Sequence, residues 1–296
     1  MSRSADQVAS RLAVAGFGAL VFASACSVLV DPNREQCSSD TDCTRRGGAF
    51  AGSVCLGSVC RSAIPATATP DAPTAWGCLG TIAWPDASVG YVDVTINLKD
   101  LITYNPVGGV GARLCRKLDT KCEQPILDGV QSDASGKLAF QAPLGFDGYA
   151  ELTPPGAIPG LYFFYPPLTE TRDVPFIPIL PLSELSTFAG LVGGQIMPGR
   201  GQLVIGVYDC LKVPGDGVTF SSAEADTASM PFYLIKGAPS SKATATDSSG
   251  YGGIINLLPG TATLTGKLGS GESLGIESVL MRADEITYTT LLPLPG

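Results

Sequence analysis

A short polar motif that occurs twice constrains this chain more than any other feature. Segment 132–136 is Ser-Asp-Ala-Ser-Gly, and segment 246–250 is Thr-Asp-Ser-Ser-Gly. Each copy follows a β-rich run and precedes a short apolar run that ends in proline and glycine. Aspartate caps such turns through local hydrogen bonds, and glycine supplies a positive φ. We therefore predict two copies of one β-domain.

The composition favours short strands and restricts the chemistry. The 296 residues include 36 glycines and 23 prolines, while 45% hydrophobic residues are enough for real cores. Histidine is absent from the sequence, so the usual general base and the commonest zinc ligand are missing. A net charge of -8 gives no basic patch for phosphate groups. We expect no enzymatic activity, no cofactor and no nucleic-acid partner.

Residues 1–25 have the pattern of an export signal. Arg3 and Arg11 form a positive region before an apolar run at 12–23, which is shorter than a typical membrane-spanning helix. The run ends in Ala-Ser-Ala-Cys at 23–26. This ending resembles the lipobox of bacterial lipoproteins, which implies cleavage before Cys26 and acylation of that cysteine, for example by palmitate. The alternative is an ordinary signal peptide cut at the same bond. Of the nine cysteines, eight remain after Cys26, an even number that suits disulfides.

A small cysteine-rich module is predicted at 37–60, after a lipidated tether at 26–36. A piece this short cannot bury a sufficient core, so two disulfides are expected among its four cysteines. The pattern resembles small extracellular cysteine-rich modules. Of the three possible connectivities, we favour Cys37 with Cys55 and Cys43 with Cys60. A four-cysteine zinc site is the alternative, although structural zinc sites prefer Cys-x2-Cys pairs.

The rest of the chain divides into a linker and two β-domains. Segment 61–75 is rich in proline, threonine and alanine, which predicts an extended spacer. Domains are expected at 76–189 and 190–296. Three prolines between 175 and 182 favour an edge segment over a central strand, and a helical turn or two is expected at 183–189.

The β-domains resemble the carboxypeptidase regulatory-like family. In the second domain the matching segments are 207–210, 243–250 and 256–260, and the first domain matches through its own turn motif and Pro143-Leu144-Gly145. The resemblance implies an all-β chain with two tandem transthyretin-like (Ig-like) antiparallel β-sandwiches after the disulfide-rich module. It also implies non-catalytic accessory or surface modules.

Four further cysteines are assigned by position. Cys115 and Cys122 are close in sequence and are expected to clip a hairpin or loop. Cys78 and Cys210 remain after these assignments, and we predict that they join the two β-domains. If they did not, a free exported thiol would need an explanation.

An aromatic run at 162–165 leaves two interpretations open. Strand side chains alternate between faces, so two of these four rings are expected in a core. The alternative is a ligand platform in which Tyr162 and Tyr165 stack on sugars.

The function predicted overall is that of a non-catalytic lipoprotein. It would be anchored to a membrane of the bacterial envelope (outer membrane or cell surface) and would have a structural role or bind an unknown protein or glycan partner. A polysaccharide-binding lipoprotein is the alternative.

Overall fold

The structure is a computed structural model that describes residues 37–45, 53–56, 59–62, 75–79 and 89–293. The predicted signal, the tether with Cys26 and most of the linker lie outside the described residues. The chain divides into two compact units, 1–69 and 70–296. The described part of the first unit consists of α1 (Asp40–Thr44) and a hairpin of β1 (Ser53–Leu56) and β2 (Val59–Ser62).

The regular secondary structure in the described part of the second unit is nearly all β-strand, as the sequence predicted. It has one α-helix, α2 (Leu185–Leu191), which overlaps the helical turns expected at 183–189. Neither helix in the described ranges has the length and apolar character needed to cross a membrane. The strands are β3 (Tyr91–Asp100), β4 (Gly111–Arg116), β5 (Leu127–Gln131), β6 (Lys137–Pro143), β7 (Phe146–Thr153), β8 (Gly160–Leu168), β9 (Arg172–Ile179), β10 (Gly201–Val207), β11 (Val218–Ser222), β12 (Met230–Ile235), β13 (Ala238–Ser240), β14 (Tyr251–Leu257), β15 (Gly260–Leu268), β16 (Ser273–Met281) and β17 (Ile286–Leu291).

The repeated motif forms the same turn in both halves of this unit. The N–H of Gly136 donates to the carbonyl oxygen of Asp133 at 2.9 Å, and the N–H of Gly250 donates to that of Asp247 at 2.8 Å. In each copy the aspartate carboxylate accepts the N–H of the residue two positions later. Both glycines have positive φ, 75° and 69°. The aspartate and the glycine therefore have the roles that the motif predicted.

The first residue of each motif connects the turn to a second segment. The Ser132 hydroxyl accepts the N–H of Val110 at 3.0 Å and donates to the carbonyl oxygen of Val107 at 3.0 Å. Thr246 makes the same two bonds at the equivalent positions, at 3.0 and 2.7 Å. Both side chains are buried, so each hydroxyl satisfies backbone groups that water does not reach.

Strand pairing repeats as well. In the first half β3 pairs antiparallel with β6 and parallel with β9, and in the second half β10 pairs antiparallel with β14 and parallel with β17. The antiparallel series β4-β7-β8 corresponds to β11-β15-β16. Each half is therefore a β-sandwich built on the same plan, although the sequence did not predict the parallel pairs.

The two sandwiches share one sheet. Its nine strands have the order β13-β12-β14-β10-β17-β8-β7-β4-β5. Strand β17 of the second half pairs parallel with β8 of the first, with Ile286 opposite Gly160 and Tyr288 opposite Tyr162. The sheets β6-β3-β9 and β11-β15-β16 supply the second layers. We call the β8–β17 pairing and its surroundings the junction.

The two cores lie on opposite faces of the shared sheet. Along β8, Tyr162 and Phe164 pack in the first core, whereas Leu161 and Phe163 pack in the second. Successive side chains of a strand point to opposite faces. Strand β8 is therefore covered on both sides over this stretch, which explains its continuous apolar run.

Strand β9 is an edge strand, in agreement with its prolines. Its only partner among the described strands is β3. Proline cannot donate to a further ladder, so Pro175 and Pro178 weaken this edge as a template for another strand.

Replacing Gly250 with alanine tests the repeated turn. A Cβ at this position would lie 2.6 Å from the carbonyl oxygen of Val207 and 2.8 Å from Cβ of Pro214, and the backbone has positive φ. We expect Gly250→Ala to lower the free energy of unfolding by about 2–4 kcal/mol in denaturant titrations. Gly269→Ala is the control, since a Cβ there would have no atom of the described residues within 4 Å and no left-handed φ is required. Equal stabilities of the two variants would contradict this role of the turn.

Candidate functional site: the junction between the sandwiches

The aromatic run of β8 lies inside the junction. Tyr162 is 6% exposed, and its ring centroid is 5.1 Å from that of Phe164 in an edge-to-face contact. Burial raises the pKa of Tyr162 to about 12. Tyr165 is half-buried, and its carbonyl oxygen accepts the hydroxyl of Thr290 at 2.9 Å. Tyr162 is thus not an exposed stacking residue, because β8 is a central strand covered on both faces.

A buried ion cluster joins the first sandwich to the end of β16. Glu151 of β7 is 8% exposed. Its Oε1 accepts a hydrogen bond from Arg113 of β4, and its Oε2 accepts one from Arg282 at 2.7 Å. Arg282 also donates to the hydroxyl of Tyr149 at 3.1 Å and to the carbonyl oxygen of Thr120 at 3.0 Å. Arg282 therefore connects the residue after β16 to three residues of the first half.

The charges in this cluster follow from burial and hydrogen bonding. Burial alone would raise the pKa of Glu151, but the hydrogen bonds from Arg113 and Arg282 outweigh it and lower the pKa. Glu285 differs, since burial raises its pKa more than the attraction of Arg282 lowers it. Its buried Oε2 lies 3.7 Å from Arg282 and accepts no hydrogen bond from the residues that the structure describes. Glu151 is the carboxylate that holds the two guanidinium groups.

A second ion pair crosses the junction. Lys117, directly after β4, places Nζ 2.9 Å from Oε1 of Glu277 on β16 and 3.8 Å from Asp147. Glu277 is 3% exposed, and burial raises its pKa despite the opposing effect of Lys117. Strand β16 therefore packs over the face of the shared sheet that is remote from the first core.

A small cavity adjoins the ion cluster. Its volume is about 160 Å³, and its lining includes Arg113, Asp128, Glu151 and Thr153. Two carboxylates in one cavity are the arrangement that glycoside hydrolysis uses, but one of them must supply a proton. Both oxygens of Glu151 accept from arginines and its pKa is lowered. Glu151 is thus suited to holding the junction together and not to acting as an acid.

A disulfide connects the chain before the first sandwich to the second sandwich. Cys78 is bonded to Cys210, and the N–H of Cys210 donates to the carbonyl oxygen of Ala75 at 2.9 Å. Trp76 and Leu79 pack against the second core. The sequence placed the start of the first sandwich at residue 76, but residues 75–79 lie against the second. The reason is the apolar surface of that core, which the tryptophan helps to cover.

The remaining disulfides have the expected partners. Cys115 at the end of β4 is bonded to the buried Cys122. In the first unit the bonds are Cys37–Cys55 and Cys43–Cys60. Where three cysteine sulfurs of this unit lie close together, each is therefore bonded to another sulfur and is not a thiolate ligand.

Three junction residues escaped the sequence analysis: Arg113, Glu151 and Arg282. The available signal was the charge of Glu151 inside the apolar stretch of β7. A single charge in a strand does not identify its partners, because those come from β4 and from the residue after β16.

Comparisons with known proteins give little further information. No protein-family model matches the sequence, and no curated protein matches it. Solved structures with similarity include the minor pilin GBS52 of Streptococcus agalactiae, at 18% identity over 69% of this chain and 98% of the pilin, with a TM-score of 0.21. The shaft pilin SpaA of Lactobacillus rhamnosus GG has 11% identity over 71% and 99%, with a TM-score of 0.22. TM-scores this low support no conclusion about this chain. Membership of the carboxypeptidase regulatory-like family stays a prediction.

Glu151→Gln tests the ion cluster. At pH 7 we expect the free energy of unfolding to fall by about 3 kcal/mol, because two partly buried guanidinium groups lose their counter-charge. The pKa of Glu151 is below its ordinary 4.5 in the folded state, so its contribution is present above pH 4.5 and is lost as the pH falls through the folded pKa. The stability difference between wild type and variant should therefore shrink below that pH.

Glu123→Gln is the matched control. Glu123 pairs with Lys121 at 4.0 Å, and both side chains are exposed, so little change is expected at pH 7. A Glu151→Gln variant as stable as Glu123→Gln at pH 7 would contradict the proposed role of the cluster.

Proposed function

We propose that this chain is a non-catalytic lipoprotein of the bacterial envelope, in which the fused sandwiches form a rigid structural or binding module. The observation that carries the proposal is the shared nine-stranded sheet, which makes one body of two sandwiches. A rigid body in which arginines bond both oxygens of the buried Glu151 carboxylate suits scaffolding or binding better than it suits catalysis.

Rigidity has three separate sources at the junction. The parallel β8–β17 pairing provides backbone hydrogen bonds, and both faces of β8 are packed. Glu151 and Glu277 each form ion pairs across the junction. The Cys78–Cys210 disulfide closes a loop that contains the whole first sandwich. Interdomain motion is the usual expectation for a small polar interface, but this interface is a packed core.

The four disulfides support export. Disulfides persist in oxidising compartments and are rare in reducing ones. The described structure pairs eight of the nine cysteines, so the cysteine that remains is Cys26, the residue that the lipobox-like pattern marks for acylation. A diacylated N-terminal cysteine would hold the chain at a membrane, because each buried methylene contributes about 0.8 kcal/mol.

The anchor is tested with Cys26→Ala. We expect the wild-type chain, expressed in a bacterium, to stay with the membrane fraction through a carbonate wash and to carry the added mass of acyl chains on Cys26. The variant should carry no such mass and should leave the membrane fraction, because the other cysteines are already bonded.

Non-reduced and reduced intact masses of both proteins provide the control, since each should show four disulfides. An unmodified Cys26 in the membrane-extracted wild type would overturn the lipid anchor. It would leave the ordinary signal peptide as the better interpretation.

A further inference from the structure

The outer face of the β6-β3-β9 sheet combines polar and aromatic side chains. Along β3 the residues Val92, Val94, Ile96 and Leu98 are buried, so the intervening side chains point away from the first core. The alternate positions carry Asp93, Thr95, Asn97 and Lys99. This face is about 20 Å long between residues 91 and 97, given about 3.3 Å per residue.

Two aromatic rings lie together at one end of this face. Tyr104 is 64% exposed, and its ring centroid is 6.0 Å from that of Phe176 on β9, with 26° between the ring planes. Rings stacked directly on each other would be about 4 Å apart. The pair is therefore strongly offset, and ring surface stays open to solvent.

The loop that carries Tyr104 is fixed by Asp100 at the end of β3. The Asp100 carboxylate accepts the N–H of Ile102 at 2.9 Å and that of Thr103 at 2.7 Å. The N–H of Tyr104 donates to the carbonyl oxygen of Asp100 at 2.9 Å. These bonds hold Tyr104 in a left-handed conformation, with φ 58°. The ring is thus presented by a defined turn, and little conformational freedom remains to be lost on binding.

Planar polar groups lie on the same two strands, with Asn97 on β3 and Asp173 on β9, the strand that carries Phe176. The Asn97 side-chain amide donates to the carbonyl oxygen of Val174 at 3.2 Å and to Oδ1 of Asp173 at 3.4 Å. Further along the face, Gln141 donates to Asp93 at 3.0 Å. Each pair keeps acceptor capacity after these bonds, because a carboxylate has about four acceptor positions.

We propose that Tyr104 and Phe176 form a stacking site for a neutral polysaccharide chain, with Asn97 and Asp173 hydrogen-bonding its hydroxyl groups. Aromatic faces pack on the C–H surfaces of sugar rings, and fixed amide and carboxylate groups match neighbouring hydroxyls. The mixed charges of this face and the net charge of -8 favour a neutral chain over an anionic one. A purely apolar peptide would cover the remaining acceptor positions of these polar groups without bonding to them. This site rests on the binding role proposed above and names the class of ligand for it. It does not depend on the lipid at Cys26.

The test is affinity electrophoresis of the full chain, extracted in detergent, through gels that contain a β-glucan, a mannan or an α-glucan. Retardation of the wild type by at least one of these is expected. Tyr104→Asn and Phe176→Ala should each weaken the binding at least about tenfold, because stacking area is lost. Asparagine is used at position 104 because it tolerates positive φ.

Leu118→Ala is the matched control, since Leu118 is an apolar side chain that is 93% exposed and lies after β4, away from this face. It should bind as the wild type does, and all variants should keep the wild-type melting temperature within a few degrees. A wild type that no gel retards, or ring variants that bind as well as Leu118→Ala, would overturn the site. Membrane fractionation of the same variants separates the two proposals, because loss of glycan binding leaves the Cys26 anchor intact.

Discussion

The pairing of β17 with β8 determines the form of the second unit. It joins the edge of one sandwich to the edge of the other, so neither strand keeps a free edge at that point. The counterpart of β17 in the first half is β9, which contains Pro175 and Pro178. Proline has no N–H to offer, so the edge that could repeat the junction with another copy is weakened, while β17 contains no proline. Equivalent strands of the two sandwiches therefore differ: the edge at β17 is suited to pairing with another strand, and the edge at β9 is suited to facing solvent.

The ion pairs at the junction fix the relative positions of its strands more than they increase the net stability of the fold. Buried ion pairs repay their desolvation only when the hydrogen bonding is good, and their removal one partner at a time is costly. Glu151 meets this condition with a bond to each oxygen, and its pKa is lowered. Glu277 has the opposite shift, because burial outweighs its lysine partner. The two carboxylates therefore respond to acid in opposite directions, and Glu151 is the one whose protonation loosens the junction.

The sequence predicted those parts of the fold that local chemistry determines. The Asp and Gly of the repeated motif specify a turn by themselves, and the prolines near 175 specify an edge. The β8–β17 pairing could not be predicted in this way, since its partners are distant in sequence and the register depends on packing, with Tyr288 against Gly160. For the same reason the sequence left two interpretations of Tyr162 open, and it did not predict that Trp76 packs against the second core. Alternation along a strand predicts which residues share a face, but it does not tell whether that face is covered.

Tyr104 was overlooked because an aromatic residue in a loop has no periodic neighbours, and Phe176 approaches it from another strand.

The central claim is that the two sandwiches behave as one body, and native-state hydrogen exchange of the full chain tests it most directly. Amides of β3, which lies in the layer unique to the first sandwich, should open with the same free energy as amides of β15, in the layer unique to the second. Denaturant should lower both opening free energies with the same slope. If β3 and β15 instead opened with clearly different free energies and slopes, the sandwiches would be unfolding separately, and the account of a single fused body would be wrong.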